Sequence, residues 1–201
     1  VRTDILRECL MEESASVIGY EDRDLRCHAF SVLQEKLPQV KVWKPLDQRI
    51  SRLRSVKTTE ELACLEKAES IGDAAFSEIP GILRPGMTEK EVAAELEYRM
   101  KKHGAEGVSF STIVASGVHS SMPHAVPTDK KLETGDFVTM DFGCMYEGYC
   151  SDMTRTVVIG KASDQQNRIY DIVLEAQKAC LDGLRAGITG KEADALARTV
   201  I

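Results

Sequence analysis

One segment of this chain occurs twice. Leu83–Glu91 reads LRPGMTEKE, and Leu184–Glu192 reads LRAGITGKE, a displacement of 101 positions (184 − 83). Each copy carries a threonine followed three residues later by a glutamate, which is the capping-box signature of a helix start. The repetition predicts two copies of one helix-rich unit and constrains the fold of most of the chain.

The residues around each copy predict helices followed by a sheet. Apolar periodicity predicts a long helix from Thr58 to about Leu83 and a matching helix over 163–184. After the first copy, a helix that stops at Gly104 is followed by a predicted strand at 109–115 and a hairpin at 136–159. The second copy stops at Ile201 before any strands. We therefore expect an α+β fold made of two halves, the second incomplete.

Residues 1–45 have a different pattern. A helical stripe at Ile5–Leu10 and a helix at 24–36 alternate with short extended runs at 15–20 and 39–43, which is typical of an α/β unit. Because this unit is too short to be stable alone, we expect it to be the C-terminal part of a larger domain. Residues 45–56 then form a connector. The predicted domains are 1–50, a partial α/β N-terminal domain, and 51–201, the duplicated unit.

Two aspartates in the predicted hairpin are expected to face each other. If the hairpin folds symmetrically about Tyr146-Glu147, opposed positions sum to 293 and Asp141 faces Asp152. Opposed Cβ atoms lie roughly 4.5–5.5 Å apart, where like charges are destabilising. A shared proton or a bound divalent cation is needed to offset that repulsion. In this register Thr139 and Thr154 share the polar face, and the apolar face carries Val138, Met140, Phe142 and Met153.

The turn itself leaves the register open. Tyr-Glu is not a favoured two-residue turn, and Gly148 allows a three-residue loop with a bulge instead. A slip by one residue would send Asp152 to the opposite face of the sheet. The pairing of the two carboxylates is thus an expectation that depends on register.

Composition restricts the partners of the chain. The formal net charge is −6 and no basic stripe is present, so nucleic acid is not expected as a partner. No run of about eighteen apolar residues occurs, so no membrane span is expected. The 6 cysteines show no paired metal-ligand spacing, which indicates free thiols in a reducing cytoplasm.

Several motifs occur together near the hairpin. His124 lies in SGVHSSMPHAVP, 17 positions before Asp141 (141 − 124), and Asp152 follows 11 positions later (152 − 141) in DMTRT. Over about residues 50–201 these motifs resemble the aminopeptidase P and prolidase group of the creatinase/methionine aminopeptidase superfamily. The resemblance implies the duplicated pita-bread fold of that superfamily, with the second half incomplete here.

The resemblance also implies a metal site. Two divalent ions, manganese foremost with zinc or cobalt as alternatives, would be held by two aspartates, one histidine and two glutamates. Asp141 would bind one ion and Asp152 would bridge both, while the histidine and the glutamates are expected beyond Ile201. His124 would lie on the substrate side and donate a hydrogen bond to the peptide or the tetrahedral intermediate. Without the other ligands, the chain alone is expected to bind metal weakly and turn over little.

The implied activity is that of an Xaa-Pro aminopeptidase, which cleaves the bond between an N-terminal residue and a following proline. The alternatives are an Xaa-Pro dipeptidase (prolidase) with the same site, or a non-catalytic pita-bread module that binds other proteins. The resemblance further implies a peptide substrate with proline in second position and a homodimer. Retention of both aspartates and of His124 favours the enzyme, because a binding module has no need of them.

Overall fold

A computed structural model describes residues 3–201. The chain divides into two compact units, one that ends at Glu60 and one from Glu61 to Ile201. Within the described residues, no helix is both long enough and apolar enough to cross a membrane.

The first unit is a small α/β arrangement. Its elements are α1 (Thr3–Glu12), β1 (Val17–Tyr20), α2 (Cys27–Lys36), β2 (Val42–Pro45) and α3 (Arg49–Ser55). β1 and β2 pair in parallel, and a small core forms around Leu33, Leu37 and Val40. The predicted order helix, strand, helix, strand is confirmed. Within the predicted connector at 45–56, residues 49–55 form α3.

The helices that follow are α4 (Thr59–Glu78), α5 (Glu89–Lys102), α6 (Asp164–Gly183) and α7 (Gly190–Arg198). Capping boxes are present at Thr88 and Thr189, as predicted, and also at Ser163. α4 ends at Glu78 rather than near Leu83. The reason is Pro80, which lacks the amide hydrogen needed to continue the helix and disfavours the helical conformation in the residue before it.

The two copies of the repeated segment have the same backbone geometry. Gly86 (φ 92°) and Gly187 (φ 93°) both occupy the left-handed region that glycine favours. Thr88 (φ −85°, ψ 158°) and Thr189 (φ −78°, ψ 158°) are both extended N-caps, and the hydroxyl of each accepts a backbone amide of the following helix. The duplication predicted from the sequence is confirmed in the local structure of the helices.

Two antiparallel sheets complete the second unit. The strands are β3 (Gly107–Val108), β4 (Ile113–Ser116), β5 (Phe137–Phe142), β6 (Cys144–Tyr146), β7 (Tyr149–Cys150) and β8 (Met153–Val158). One sheet has the order β3-β6-β7 and the other the order β4-β5-β8. The strand predicted at 109–115 is confirmed only from Ile113 onwards, as part of β4, and 109–112 are irregular. The short β3 precedes the predicted range and belongs to the other sheet.

Alternating residues of β5 separate the core from the opposite face. Val138, Met140 and Phe142 are fully buried, whereas Thr139 and Asp141 between them are partly exposed. The buried side chains pack in one core with apolar residues of α4 and α5. This core fixes which face of β5 carries Asp141.

The hairpin folds about a different turn from the predicted one. Tyr146 pairs with Tyr149, so Glu147 (φ 47°) and Gly148 (φ 77°) form the turn. Positive φ at both central residues is the type I′ arrangement, which matches the twist of the flanking strands. Opposed positions therefore sum to 295 (146 + 149) rather than 293. The predicted register was wrong by two positions, which leaves every residue on its predicted face because side chains alternate with period two.

Gly143 lies at the bend between β5 and β6. A Cβ atom at this position would overlap the carbonyl oxygen of Ser151 and the hydroxyl of Ser109. The backbone amide of Ser109 also donates to the carbonyl of Gly143. Only glycine therefore fits where the chain passes from one sheet to the other.

Gly143→Ala is expected to lower the free energy of unfolding by about 3 kcal/mol, the upper part of the usual range for overpacking. The carbonyl of Ser151 cannot move aside freely, since the amide of Ser151 donates to the carbonyl of Cys144. Urea unfolding of the full-length protein measures the effect. Gly107→Ala is the matched control, because nothing lies within 4 Å of its added Cβ. Equal unfolding midpoints for the two variants would contradict the close approach.

Candidate metal centre

Asp141 points away from the core, on the partly exposed face of the β4-β5-β8 sheet. It pairs with Ile113 of β4 on one side and with Thr154 of β8 on the other. Asp152 precedes Thr154 by two residues, so it continues the same face just before β8 begins. The two carboxylates are thus diagonal neighbours, which side chains of this length can bridge.

The environment of Asp141 is unfavourable for a lone negative charge. Burial raises the pKa of Asp141, and the charge of Asp152 raises it further. A hydrogen bond with Thr154 and the charge of His124 act in the opposite direction. Oδ1 of Asp141 is buried and has no hydrogen-bond partner in the described part of the chain.

These features fit a divalent cation. Carboxylate oxygens are the ligands that hard divalent ions prefer, and a cation would satisfy the unpartnered oxygen while removing the repulsion between Asp141 and Asp152. The raised pKa of Asp141 means that protons compete for the same oxygens. Metal binding is therefore expected to weaken as the pH falls.

His124 lies close enough for its charge to act on Asp141, although 17 positions separate them (141 − 124). It is an exposed residue of the loop between β4 and β5, flanked by Pro123 and Pro127. Proline restricts backbone freedom on both sides of it. The structure thus brings together His124, Asp141 and Asp152, the three site residues selected from the sequence.

The two threonines of the polar face, Thr139 and Thr154, have different partners. Thr154 interacts with the Asp141 carboxylate, as expected of a donor that orients a metal ligand. Thr139 instead pairs with Thr156 of β8, with 3.2 Å between the two hydroxyl oxygens. This difference follows from the shifted register. Within residues 3–201, no group of three or more His, Cys, Asp and Glu side chains could hold a metal ion.

A buried carboxylate near this loop was not predicted from the sequence. Glu89 is 0% exposed, and burial alone would raise its pKa. Hydrogen bonds from Thr128 and Ser116 outweigh that effect and lower the pKa of Glu89 from 4.5 to about 2. From the sequence, Glu89 was only a residue inside a capping box, and its partners lie far along the chain. His119, a residue of the loop between β4 and β5, has its Nδ1 3.0 Å from Oε1 of Glu89.

Comparison with known proteins identifies the family. The sequence profile of metallopeptidase family M24 matches residues 63–201. The chain belongs to metallopeptidase family M24. It is 46% identical over 162 residues to the Xaa-Pro dipeptidase of Pyrococcus furiosus, a match that covers 81% of this chain and 47% of that protein. The chain spans about half the length of the curated relatives it matches.

Solved structures of M24 proteins match the whole chain. The Xaa-Pro dipeptidase from Bacillus anthracis has a TM-score of 0.92 at 44% identity, covering 100% of this chain and 56% of that one. The X-Pro aminopeptidase from Thermotoga maritima has a TM-score of 0.93 at 41% identity, covering 99% and 56%. The resemblance stated from the sequence is confirmed, and so is the pita-bread fold.

Asp152→Asn tests the electrostatic account of this M24 chain without any activity measurement. In metal-free full-length protein, the variant is expected to melt at or above the wild-type temperature, because it lacks the repulsion with Asp141. Addition of Mn²⁺ at about a hundred times Kd stabilises the wild type by about 2.7 kcal/mol. The variant is expected to gain far less. Calorimetry with and without a chelator measures both effects.

Asp129→Asn is the control for this experiment, since the Asp129 carboxylate pairs with Lys90 at the surface. This variant should keep the full response to Mn²⁺. An unchanged metal response in Asp152→Asn would contradict a cation held by this carboxylate.

Proposed function

We propose that the full-length protein is a metal-dependent Xaa-Pro dipeptidase. The observation that carries the proposal is the pair of like-charged carboxylates, Asp141 and Asp152, with a buried and unpartnered oxygen on Asp141. The two carboxylates repel each other unless a proton or a cation offsets their charge, and a bound cation does so with both groups ionised. Membership of a metallopeptidase family agrees with the same interpretation.

The activities named for similar proteins are the reason to propose a dipeptidase and not an aminopeptidase. From the sequence, the aminopeptidase was the first expectation and the dipeptidase an alternative. The matching proteins from Pyrococcus furiosus and Bacillus anthracis are Xaa-Pro dipeptidases, which supports the reverse order. The aminopeptidase remains the second candidate, supported by the similar structure from Thermotoga maritima.

The roles of the residues follow from their chemistry. Asp141 and Asp152 would hold the metal ions, with Thr154 fixing the orientation of Asp141. When bound, divalent ions supply a Lewis acid that polarises the scissile carbonyl and lowers the pKa of water. His124 would donate a hydrogen bond to the carbonyl oxygen as negative charge develops on it. A peptide bond before proline has no amide hydrogen, so the enzyme has to recognise the shape of the ring.

A non-catalytic binding module is the alternative from another class. Asp141 and Asp152 argue against this alternative, because a module that binds no metal has no need of two neighbouring carboxylates that repel each other. The identity of the ions as manganese, the histidine and two glutamate ligands beyond Ile201, the homodimer and the cytoplasmic location stay predictions of the sequence.

A substrate panel tests the function of the full-length protein. With Mn²⁺ added, Gly-Pro is expected to be cleaved with a kcat/KM at least about tenfold above that of Gly-Pro-Ala, and Gly-Ala should be a poor substrate. A dipeptidase has to recognise the free carboxylate that follows proline, whereas an aminopeptidase needs room for further residues. Preference for the tripeptide would favour the aminopeptidase. Cleavage of neither peptide by metal-loaded protein would favour the binding module.

His124→Ala is expected to lower kcat about a hundredfold or more, the usual effect of removing a general acid or an oxyanion donor. Metal content should not change, since His124 is placed beside the ions and not among their ligands. Steady-state kinetics and elemental analysis measure the two quantities. His28→Ala, an exposed histidine of α2, is the control. Loss of metal from the His124 variant would make His124 a ligand instead.

A further inference from the structure

We infer that Glu89 is a positioning residue, which holds the loop of residues 117–127 so that His124 stays beside Asp141. This inference rests on the proposed function for the role of His124, but the anchoring of the loop by Glu89 is independent of it. The loop connects β4 to the segment that precedes β5. Glu89 is the first residue of α5 and does not belong to the loop.

One carboxylate binds both ends of the loop. Oε1 of Glu89 accepts hydrogen bonds from the backbone amide and the hydroxyl of Ser116, at 2.8 and 2.9 Å. Oε2 accepts the backbone amide and the hydroxyl of Thr128, at 3.0 and 2.6 Å. Because a carboxylate only accepts, the nearby Nδ1 of His119 carries the hydrogen of the contact it makes with Oε1. Glu89 thus joins the residues immediately before and after the loop, and one residue within it.

A lysine and an aspartate extend this network at the base of the loop. Nζ of Lys130 donates to the hydroxyl of Ser116 at 3.0 Å and to Oδ2 of Asp136 at 2.7 Å. The hydroxyl of Ser116 therefore accepts from Lys130 while it donates to Glu89. Hydrogen bonds that involve charged groups are stronger than neutral ones, and those of a buried carboxylate are costly to break.

The loop is largely exposed, although a short 3-10 helix, Gly117–Ser121, forms its first part and the backbone amide of Lys90 donates to the carbonyl of Thr128 at its end. None of its residues, all of which the structure describes, is buried, and Val118 and Val126 are 79% and 77% exposed. Segments with few buried apolar contacts open easily in solution. The side-chain contacts that restrain the ends of the loop that carries His124 are those to the buried carboxylate of Glu89.

The internal repeat shows that helix formation does not require Glu89. The equivalent position in the second copy is Gly190 (89 + 101). α7 begins at Gly190 with a complete capping box between Thr189 and Glu192, just as α5 begins with one between Thr88 and Glu91. The buried glutamate is thus an addition to the repeated unit, and it occurs in the copy that carries the His124 loop.

Glu89→Gln in the full-length protein tests the inference. Glutamine keeps the size of the side chain, but its amide group would face the donors of Ser116 or Thr128. Amide hydrogen exchange in the 116–128 peptide is expected to rise about tenfold or more, because hydrogen bonds to a charged acceptor are lost. The kcat for Gly-Pro is expected to fall about tenfold to a hundredfold with little change in KM or metal content, since displacement of a catalytic group by about 1 Å has an effect of this size.

Glu91→Gln is the matched control. It removes the same charge two residues away, and glutamine preserves the capping box. Exchange and kcat should match the wild type in this variant. A second control is the double variant Glu89→Gln/His124→Ala: if Glu89 acts through His124, its substitution adds little to the loss already caused by His124→Ala.

Equal exchange of the loop in Glu89→Gln and Glu91→Gln would overturn the anchoring. A full additional loss of kcat in the double variant would overturn the action through His124.

If wild-type protein cleaves no Xaa-Pro peptide, the proposed function fails, and exchange alone then decides whether Glu89 anchors the loop. If Glu89→Gln does not fold, Thr128→Val removes one donor of the same contact at similar volume and is measured in the same way.

Discussion

The repulsion between Asp141 and Asp152 is an unfavourable interaction that the rest of the second unit has to tolerate. Besides burial, the charge of Asp152 raises the pKa of Asp141, which means that it disfavours the ionised form of that carboxyl group. The burial of Asp141 adds to this cost, as the direction of its pKa shift shows. A cation turns the same arrangement into a favourable one, so the pair makes physical sense as a metal site.

The surrounding structure keeps the two carboxylates together despite their repulsion. Val138, Met140 and Phe142 are buried in the core, which forces Asp141 to the opposite face of β5. The turn at Glu147 and Gly148 sets the register, and Gly143 lets the chain pass from β5 into the β6-β7 hairpin that leads back to Asp152. On the other side of the site, His124 lies on an exposed loop whose ends are bound by Glu89. The site thus combines a rigid sheet with a loop that is held by polar contacts.

Much of this could be predicted because it depends on local sequence. The capping boxes at Thr88 and Thr189 require residues only three positions apart, and the alternation of β5 can be read directly from Val138 to Phe142. Other features depend on chemistry that local patterns do not reveal. The register was wrong because Glu147 adopts positive φ, which is uncommon for a residue other than glycine. Glu89 was missed because its partners, Ser116 and Thr128, are brought to it only by the tertiary fold.

The most direct test of the account is a crystal structure of the full-length protein with Mn²⁺, measured with anomalous scattering. The account predicts anomalous peaks within about 2–2.6 Å of carboxylate oxygens of both Asp141 and Asp152, the usual range for hard divalent ions. Peaks that contact neither carboxylate, or a density map in which the two side chains point to opposite faces of the sheet, would contradict it.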